Sequence, residues 1–361
     1  MQNVIDLPIN SETENSLFFS NSLSKNDFLL EKKFYSPGPV PSSEILDIYY
    51  SHRSDDFRQD VYDVVSNLGR MVSNKYDVAL IQGSSTSGIE SAISSTVSRD
   101  SLFIGLNNGT FGSRGMAIAS RYTNNIIECK TIDELEDQVK KNSNKTPIVF
   151  AVQFETSCSK YNEICIIQDL KTDYDFTFIV DAVSAFPYYA TPECDLFIIS
   201  SAKQLRGLPA MGIVFYKSDV VDNLVENNFY LSLKRYIEYG VRFETPHTSL
   251  MPQIISLKRQ LQGTNFVIQN YNIMKNCEAL QSDLLSKYII NEKYAPVITF
   301  GVKELDLLLD SFESYNIFPY FNKSYMGNIL QISTFNYTDI NYYKILYHIL
   351  TNHYINYEDN K

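Results

Sequence analysis

The chain has 361 residues, 44% hydrophobic and 20% charged, a balance that predicts a soluble globular protein with room for two domains. Its formal net charge of −11 excludes nucleic acid or an anionic membrane as the main partner, because both need a basic surface. Five scattered cysteines with no CxxC pair exclude a disulfide framework or zinc finger, so no metal and a reducing cytoplasm are expected.

Residues 1–33 read as a polar, irregular N-terminal arm, and MQNVIDLPIN has neither the basic start nor the apolar core of a secretion signal. No run approaches the ~20 apolar residues of a membrane span. YSPGPVPSSE follows, its prolines fixing an extended or turning backbone. Ser54–Leu68 places Phe57, Val61, Val64, Val65 and Leu68 on one helical face. A strand, short loop, helix pattern then repeats. Val78–Ile81 runs into GSSTSGIESAISSTV, where Ile89, Ala92, Ile93 and Val97 form a stripe. Leu102–Leu106 leads through NNGTFGSRG to a helix reaching Tyr122, and Ile126–Ile127 is a short strand. Thr131 and Glu134 stand at capping-box spacing before another helix. Ile148–Val152, Phe176–Val180, Leu196–Ile199 and Gly212–Tyr216 complete the strands. This alternation predicts an α/β domain over residues 34–245, with a mostly parallel sheet covered on both faces. Helical stripes at 249–262, 272–288, 304–315 and 339–351, with strands near Val297–Phe300 and Leu330–Ile332, predict a smaller α+β domain over residues 246–361.

Ligands of parallel sheets bind at the carboxyl ends of the strands. Two buried strands end on charges, Asp181 and Lys203, beside small residues such as Ala182, Ser184, Ser200 and Ser201. A lone acid–lysine pair is equally a salt bridge. A pyridoxal 5'-phosphate site accounts for both positions: the lysine amine captures the cofactor aldehyde, and the carboxylate keeps the pyridine nitrogen protonated. The loop GSSTSGIE offers Ser84, Ser85 and Thr86 at a helix start, where backbone N–H groups and the macrodipole favour a phosphate. Phe111, just after a strand, is placed to cover the ring.

In its motifs the chain resembles the class V aminotransferases, of pyridoxal-phosphate fold type I. The nearest branch holds 2-aminoethylphosphonate–pyruvate and alanine–glyoxylate or serine–pyruvate aminotransferases. YSPGPVP is similar to that branch's TPGPVP, QGSSTSGIESAI to QGSGT...EA, and NNGTFGSR to NG.YG.R. FETS is similar to HETS, VDAVSAF to VDAVSSFG, and SSAKQLRGLPAMG to SSNKCLQGVPG.G. The resemblance implies that Lys203 is the Schiff-base lysine and Asp181 the pyridinium partner. It further implies cofactor contacts from Ser84, Ser85, Thr86, Phe111, Thr156 and Ser184, with Ser36, Gly38 and Gln331 facing the substrate. Thr245, in RFETPHT, falls where a neighbouring subunit reaches the phosphate, which implies a homodimer with shared active sites. The implied reaction passes an amino group from a small amine or amino acid, aminoethylphosphonate-like or alanine/serine-like, to a 2-oxo acid or aldehyde.

The sequence departs from the family pattern at specific positions. Gln331, in LQIST, stands where the family carries an arginine for the substrate carboxylate. Arg53, Arg114, Arg206 and Arg242 are the cations that could substitute. A donor without a carboxylate is the alternative. Ser85, Ser159 and Ala210 replace family glycines, so Ser85 and Ser159 are expected at backbone positions with negative φ. Two rival readings remain: a lyase or decarboxylase using the same cofactor, and a scaffold that has lost its substrate site.

Overall fold

The structure, a computed structural model, describes residues 33–35, 37–38, 50–248, 251–281, 283–291, 295–303, 305–324, 327–337 and 339–359. The first strands are β1 (Lys33–Phe34), β2 (Asp77–Gln82), β3 (Phe103–Leu106), β4 (Ile126–Cys129) and β5 (Ile148–Val152). Then come β6 (Phe154–Glu155), β7 (Lys160–Tyr161), β8 (Thr177–Asp181), β9 (Leu196–Ser200) and β10 (Met211–Tyr216). The C-terminal part adds β11 (Val297–Gly301), β12 (Ile317–Phe318), β13 (Tyr320–Ser324) and β14 (Gly327–Ser333).

Seven of these strands form one sheet in the order β2-β10-β9-β8-β5-β3-β4. From β9 to β4 neighbours pair parallel, while β10 runs antiparallel to both β9 and β2. The sheet is therefore mostly parallel, as expected. Its carboxyl edge carries the ends of β2, β3, β5, β8 and β9, and β10 brings its amino end to the same edge.

Alternation along each strand sends side chains to opposite faces, and both faces are packed. Leu80, Ile104, Val149, Phe178, Phe197 and Ile213 belong to one core, and Ile81, Phe103, Phe150, Ile179, Ile198 and Val214 to the other. Helices α1 (Asp55–Met71), α2 (Ser85–Thr96), α3 (Thr110–Ala119) and α4 (Ile132–Lys141) follow the expected stripes. Ser54 caps α1 by accepting from Phe57 N at 3.3 Å, and Thr131 caps α4 by accepting from Glu134 N at 3.1 Å. Helices α2 and α3 cover the second core, while α1 and α4 cover the first.

Beyond α5 (Cys165–Asp169) and α6 (Leu233–Gly240), the C-terminal part holds α7 (Met251–Gly263), α8 (Phe266–Leu280), α9 (Asp283–Ser286), α10 (Leu305–Glu313) and α11 (Ile340–Asp359). The stripe expected over 272–288 is two helices instead. Asn265 starts α8 earlier, its Oδ1 accepting from Val267 N at 3.1 Å and Ile268 N at 3.2 Å. Ile289 leaves the helical pattern and bridges Phe300. Strands β11, β14 and β13 form an antiparallel sheet with β14 in the middle. The first core continues into this part through Ile298, Phe300, Leu330 and Ile332. Strand β1 pairs with β12, and Ser333 N donates to Tyr35 O at 2.8 Å, so residues 33–35 pack with the C-terminal part.

Candidate active site

Five strand ends and the loops after them enclose a cavity of about 300 Å³ at the carboxyl edge. Asp181 is the last residue of β8, and Lys203 follows β9 by three residues. Both line the cavity, with Phe111 and Arg114 from α3 and Ser85 and Thr86 from α2. The sheet thus brings together residues that are far apart in the chain.

One end of the cavity is built for an anion. Helix α2 begins there, and its N-cap residue Ser84 makes no side-chain cap. No acidic residue occupies the first turn either. The unsatisfied N–H groups and the positive end of the macrodipole therefore face the cavity. Arg114 adds a positive charge, its Nη1 donating to Thr86 Oγ1 at 3.1 Å. Its guanidinium also lies 4.9 Å from the Phe111 ring centroid. The helix sits close because glycines meet at its base: a Cβ on Gly212 would come 2.9 Å from Gly88 N.

The other end carries the acid and the amine. Asp181 is buried, and its Oδ1 accepts from Val183 N at 3.0 Å, which leaves Oδ2 for the cavity. Burial pushes its carboxyl up to about 6, against the pull of the Val183 N–H and the Arg114 and Lys203 charges. Burial likewise pushes the Lys203 amine down to about 8, opposed by Asp181. Lys203 Nζ donates to Pro37 O, which brings Pro37 against the site. At pH 7 roughly a tenth of such amines are neutral and nucleophilic.

Phe111 and Lys203 also border a second, larger chamber of about 780 Å³. Gly38, Thr156 and Gln331 line this chamber. Gln331 is buried in β14, opposite Thr299 of β11 and Tyr320 of β13. Its Nε2 donates to Thr156 O at 2.6 Å, Thr299 Oγ1 at 3.1 Å and Ser159 Oγ at 3.3 Å. Ser159 Oγ and Thr299 Oγ1 are themselves hydrogen-bonded.

The structure brings Ser84, Ser85, Thr86, Phe111, Asp181, Ser184 and Lys203 to the smaller cavity. Thr156 stands on the larger chamber, with its carbonyl held by Gln331. Thr245 is buried apart from both cavities, its Oγ1 donating to His247 O at 2.8 Å. Ser36 lies outside the described residues. Ser159 corrects an expectation: its φ is +50°, and Ala210 has φ +80°, so two non-glycine residues occupy the left-handed region. Sequence reasoning missed Glu155. This fully buried carboxylate accepts from Phe111 N at 3.0 Å, Gly112 N at 2.9 Å and Ser157 Oγ at 2.5 Å, and so seats the Phe111 loop. The acid in FETS was the available signal. Arg114, expected as a stand-in for the carboxylate-binding arginine, lies instead at the anion end.

These residues fit pyridoxal phosphate on three counts: an uncapped helix start with an arginine for the phosphate, a buried carboxyl with one oxygen toward the cavity, and a half-buried lysine of lowered pKa. No family model matches the chain. Over 87% of its length it is 26% identical to the 2-aminoethylphosphonate–pyruvate transaminase of Bacillus cereus, covering 98% of that protein. It is 23% identical over 89% of its length to the bifunctional phosphonoacetaldehyde hydrolase/aminoethylphosphonate transaminase of Clostridioides difficile, of which it spans 55%. Among solved structures, ureidoglycine–glyoxylate aminotransferase from Bacillus subtilis superposes with a TM-score of 0.78 at 18% identity, covering 92% of this chain and 94% of that one. Alanine–glyoxylate aminotransferase from Nostoc sp. gives 0.77 at 18% identity, covering 92% and 99%. Fold, crevice and relatives together define the class of protein, a pyridoxal-phosphate-dependent aminotransferase of the α/β architecture. Within that class its likeness, at identities of 26% and below, is in keeping with the class V aminotransferases.

Proposed function

We propose that Lys203 and Asp181 are the catalytic pair of this aminotransferase and that Ser84, Ser85, Thr86 and Arg114 hold the cofactor phosphate. Pyridoxal phosphate, when bound, supplies an aldehyde to capture an amine and a ring that withdraws electrons from the captured carbon. Asp181 holds negative charge at Oδ2, where a protonated ring nitrogen is stabilised. With the cofactor bound, Lys203 Nζ would be the base that takes up and gives back the proton moved in the transfer. Its lowered pKa keeps a usable fraction of free base at neutral pH. Phe111, seated by Glu155, would cover the cofactor ring and keep water away. The amino group leaves a small-molecule donor as its carbonyl product and is returned to a 2-oxo acid or aldehyde in the second half-reaction.

The chain works as a homodimer with shared sites in this reading. Thr245 is the residue proposed to reach the neighbouring subunit's phosphate. An apolar patch beside that segment supports it: Phe229 is 71% exposed, and Tyr230 stacks on His247 at 4.2 Å. The five cysteines are unpaired, in keeping with a cytoplasmic setting. Among the described residues no helix is long and apolar enough to cross a membrane.

The single observation that carries the reading is the convergence of Asp181, Lys203 and the uncapped start of α2 on one cavity. Borohydride reduction of the cofactor-loaded chain, followed by peptide mapping, tests it. The label is expected on Lys203 and absent from Lys203→Ala. A label on another lysine overturns the assignment.

A further inference from the structure

Among the described residues, no arginine and no carboxylate lines the larger chamber beyond Phe111. Its polar lining comes from side chains such as Asn107, Ser113, Ser157, Tyr320 and Gln331. Apart from Lys203, the cation on its described wall is Lys130, which is 60% exposed and paired with Glu128. The arginines that could have served an anion are engaged elsewhere. Arg53 donates to Thr245 O at 3.0 Å, and Arg206 donates to Phe335 O at 3.4 Å and Asn336 O at 3.1 Å. Arg242 lies 3.6 Å from Glu244, and Arg114 sits on Thr86 at the anion end of the smaller cavity.

Gln331 is a buried polar group on this wall. Its amide nitrogen is committed to Thr156, Thr299 and Ser159, so the atom left for a ligand is the amide oxygen, an acceptor. An anion entering at Gln331 would lose water and meet an oxygen lone pair in place of a guanidinium. A hydroxyl, by contrast, can donate to the amide oxygen and exchange hydrogen bonds with the serine and asparagine side chains. The arrangement is held in place at some cost, since Ser159 keeps its hydroxyl in the network from a left-handed backbone.

We infer that this chamber selects an amine whose remainder is polar and uncharged, an amino alcohol or amino sugar, and discriminates against amines bearing a carboxylate or phosphonate. The inference rests on the transaminase reading above and names the donor class of that same site.

The test loads the full chain with pyridoxal phosphate and adds serinol, glucosamine, alanine or 2-aminoethylphosphonate singly at equal concentration. Loss of the cofactor's visible absorbance reports the first half-reaction. Serinol and glucosamine are expected to react about 10- to 100-fold faster than the two anionic amines, the range set by one charge-assisted hydrogen bond. Tyr320 is 41% exposed, so Tyr320→Arg places a guanidinium opposite Gln331 with room to fit, and is expected to bring alanine level with serinol. A binding readout runs beside this: saturation-transfer NMR should detect 1,3-propanediol on the native chain and propionate only on Tyr320→Arg. Faster reaction with alanine or aminoethylphosphonate, or propionate bound to the native chain, overturns the inference and leaves the transaminase reading standing. So does a folded Tyr320→Arg protein that gains nothing for alanine. If none of the four amines reacts, the donor class proposed here is wrong, and the label on Lys203 decides separately whether the transaminase reading falls with it.

Discussion

Burial lifts the Asp181 carboxyl to about 6, so the folded chain keeps that proton where the unfolded chain has already released it. The native state thus binds more protons between pH ~4 and ~6, and stability falls as pH rises through that window. Asp181→Asn is expected to remove this dependence and to stabilise the cofactor-free chain at pH 7 by up to about 3 kcal/mol, read by urea unfolding at several pH values. Lys203 behaves oppositely: its amine is lowered to about 8, so capture of the cofactor aldehyde should slow about tenfold per pH unit below that value. Stopped-flow absorbance across pH 6–9 checks it, and a rate that stays flat over this range would contradict the lowered pKa. Ala210, at φ +80° on the cavity wall, carries avoidable strain. Ala210→Gly is expected to gain about 1 kcal/mol in the same unfolding assay. At this scale the sequence made Asp181 and Lys203 readable because each ends an apolar run. Glu155 stayed hidden because its partners, Phe111 N and Gly112 N, come from a distant loop whose return no local pattern announces. Ser159 misled for a related reason, since a positive φ in a serine leaves no mark in composition.

Helix α2 is the element on which the anion end depends, and its seat is a backbone contact. A Cβ at Gly212 would meet Gly88 N at 2.9 Å and Ser84 O at 3.2 Å, atoms that cannot rotate away. Gly212→Ala is therefore expected to push the start of α2 off the sheet, costing about 1–3 kcal/mol of stability. Cofactor affinity should weaken about tenfold, since one well-placed anion contact is lost. Fluorescence titration with pyridoxal phosphate measures the affinity, and unchanged binding would show that the helix start does not serve the phosphate. Most elements were legible, because residues 55–216 repeat apolar runs and helical stripes with capping residues such as Ser54 and Thr131. The direction of β10 was not: Met211–Tyr216 has the apolar texture of its parallel neighbours, and nothing local separates the two directions. The hairpin partner β13 was missed because YFNKS lacks any apolar alternation.

At the scale of the molecule, the proposed dimer should sediment at twice the chain mass. Phe229→Asp, in the exposed patch, should shift it toward the monomer and lower activity in parallel. Sedimentation equilibrium decides this, and a fully active monomer would sink the shared-site reading. The sheet itself carries a different consequence. Strand β2 has β10 as its neighbour in the sheet, with Leu80 paired to Ile213, so a stretch made early in synthesis waits for one made much later. Closing so wide a loop is a slow step on any folding route. A nascent polypeptide still short of residue 211 has a bare strand edge and no finished seat for the vitamin B6 phosphate, so ribosome-stalled or prematurely terminated products should fail to retain the cofactor and be prone to clump.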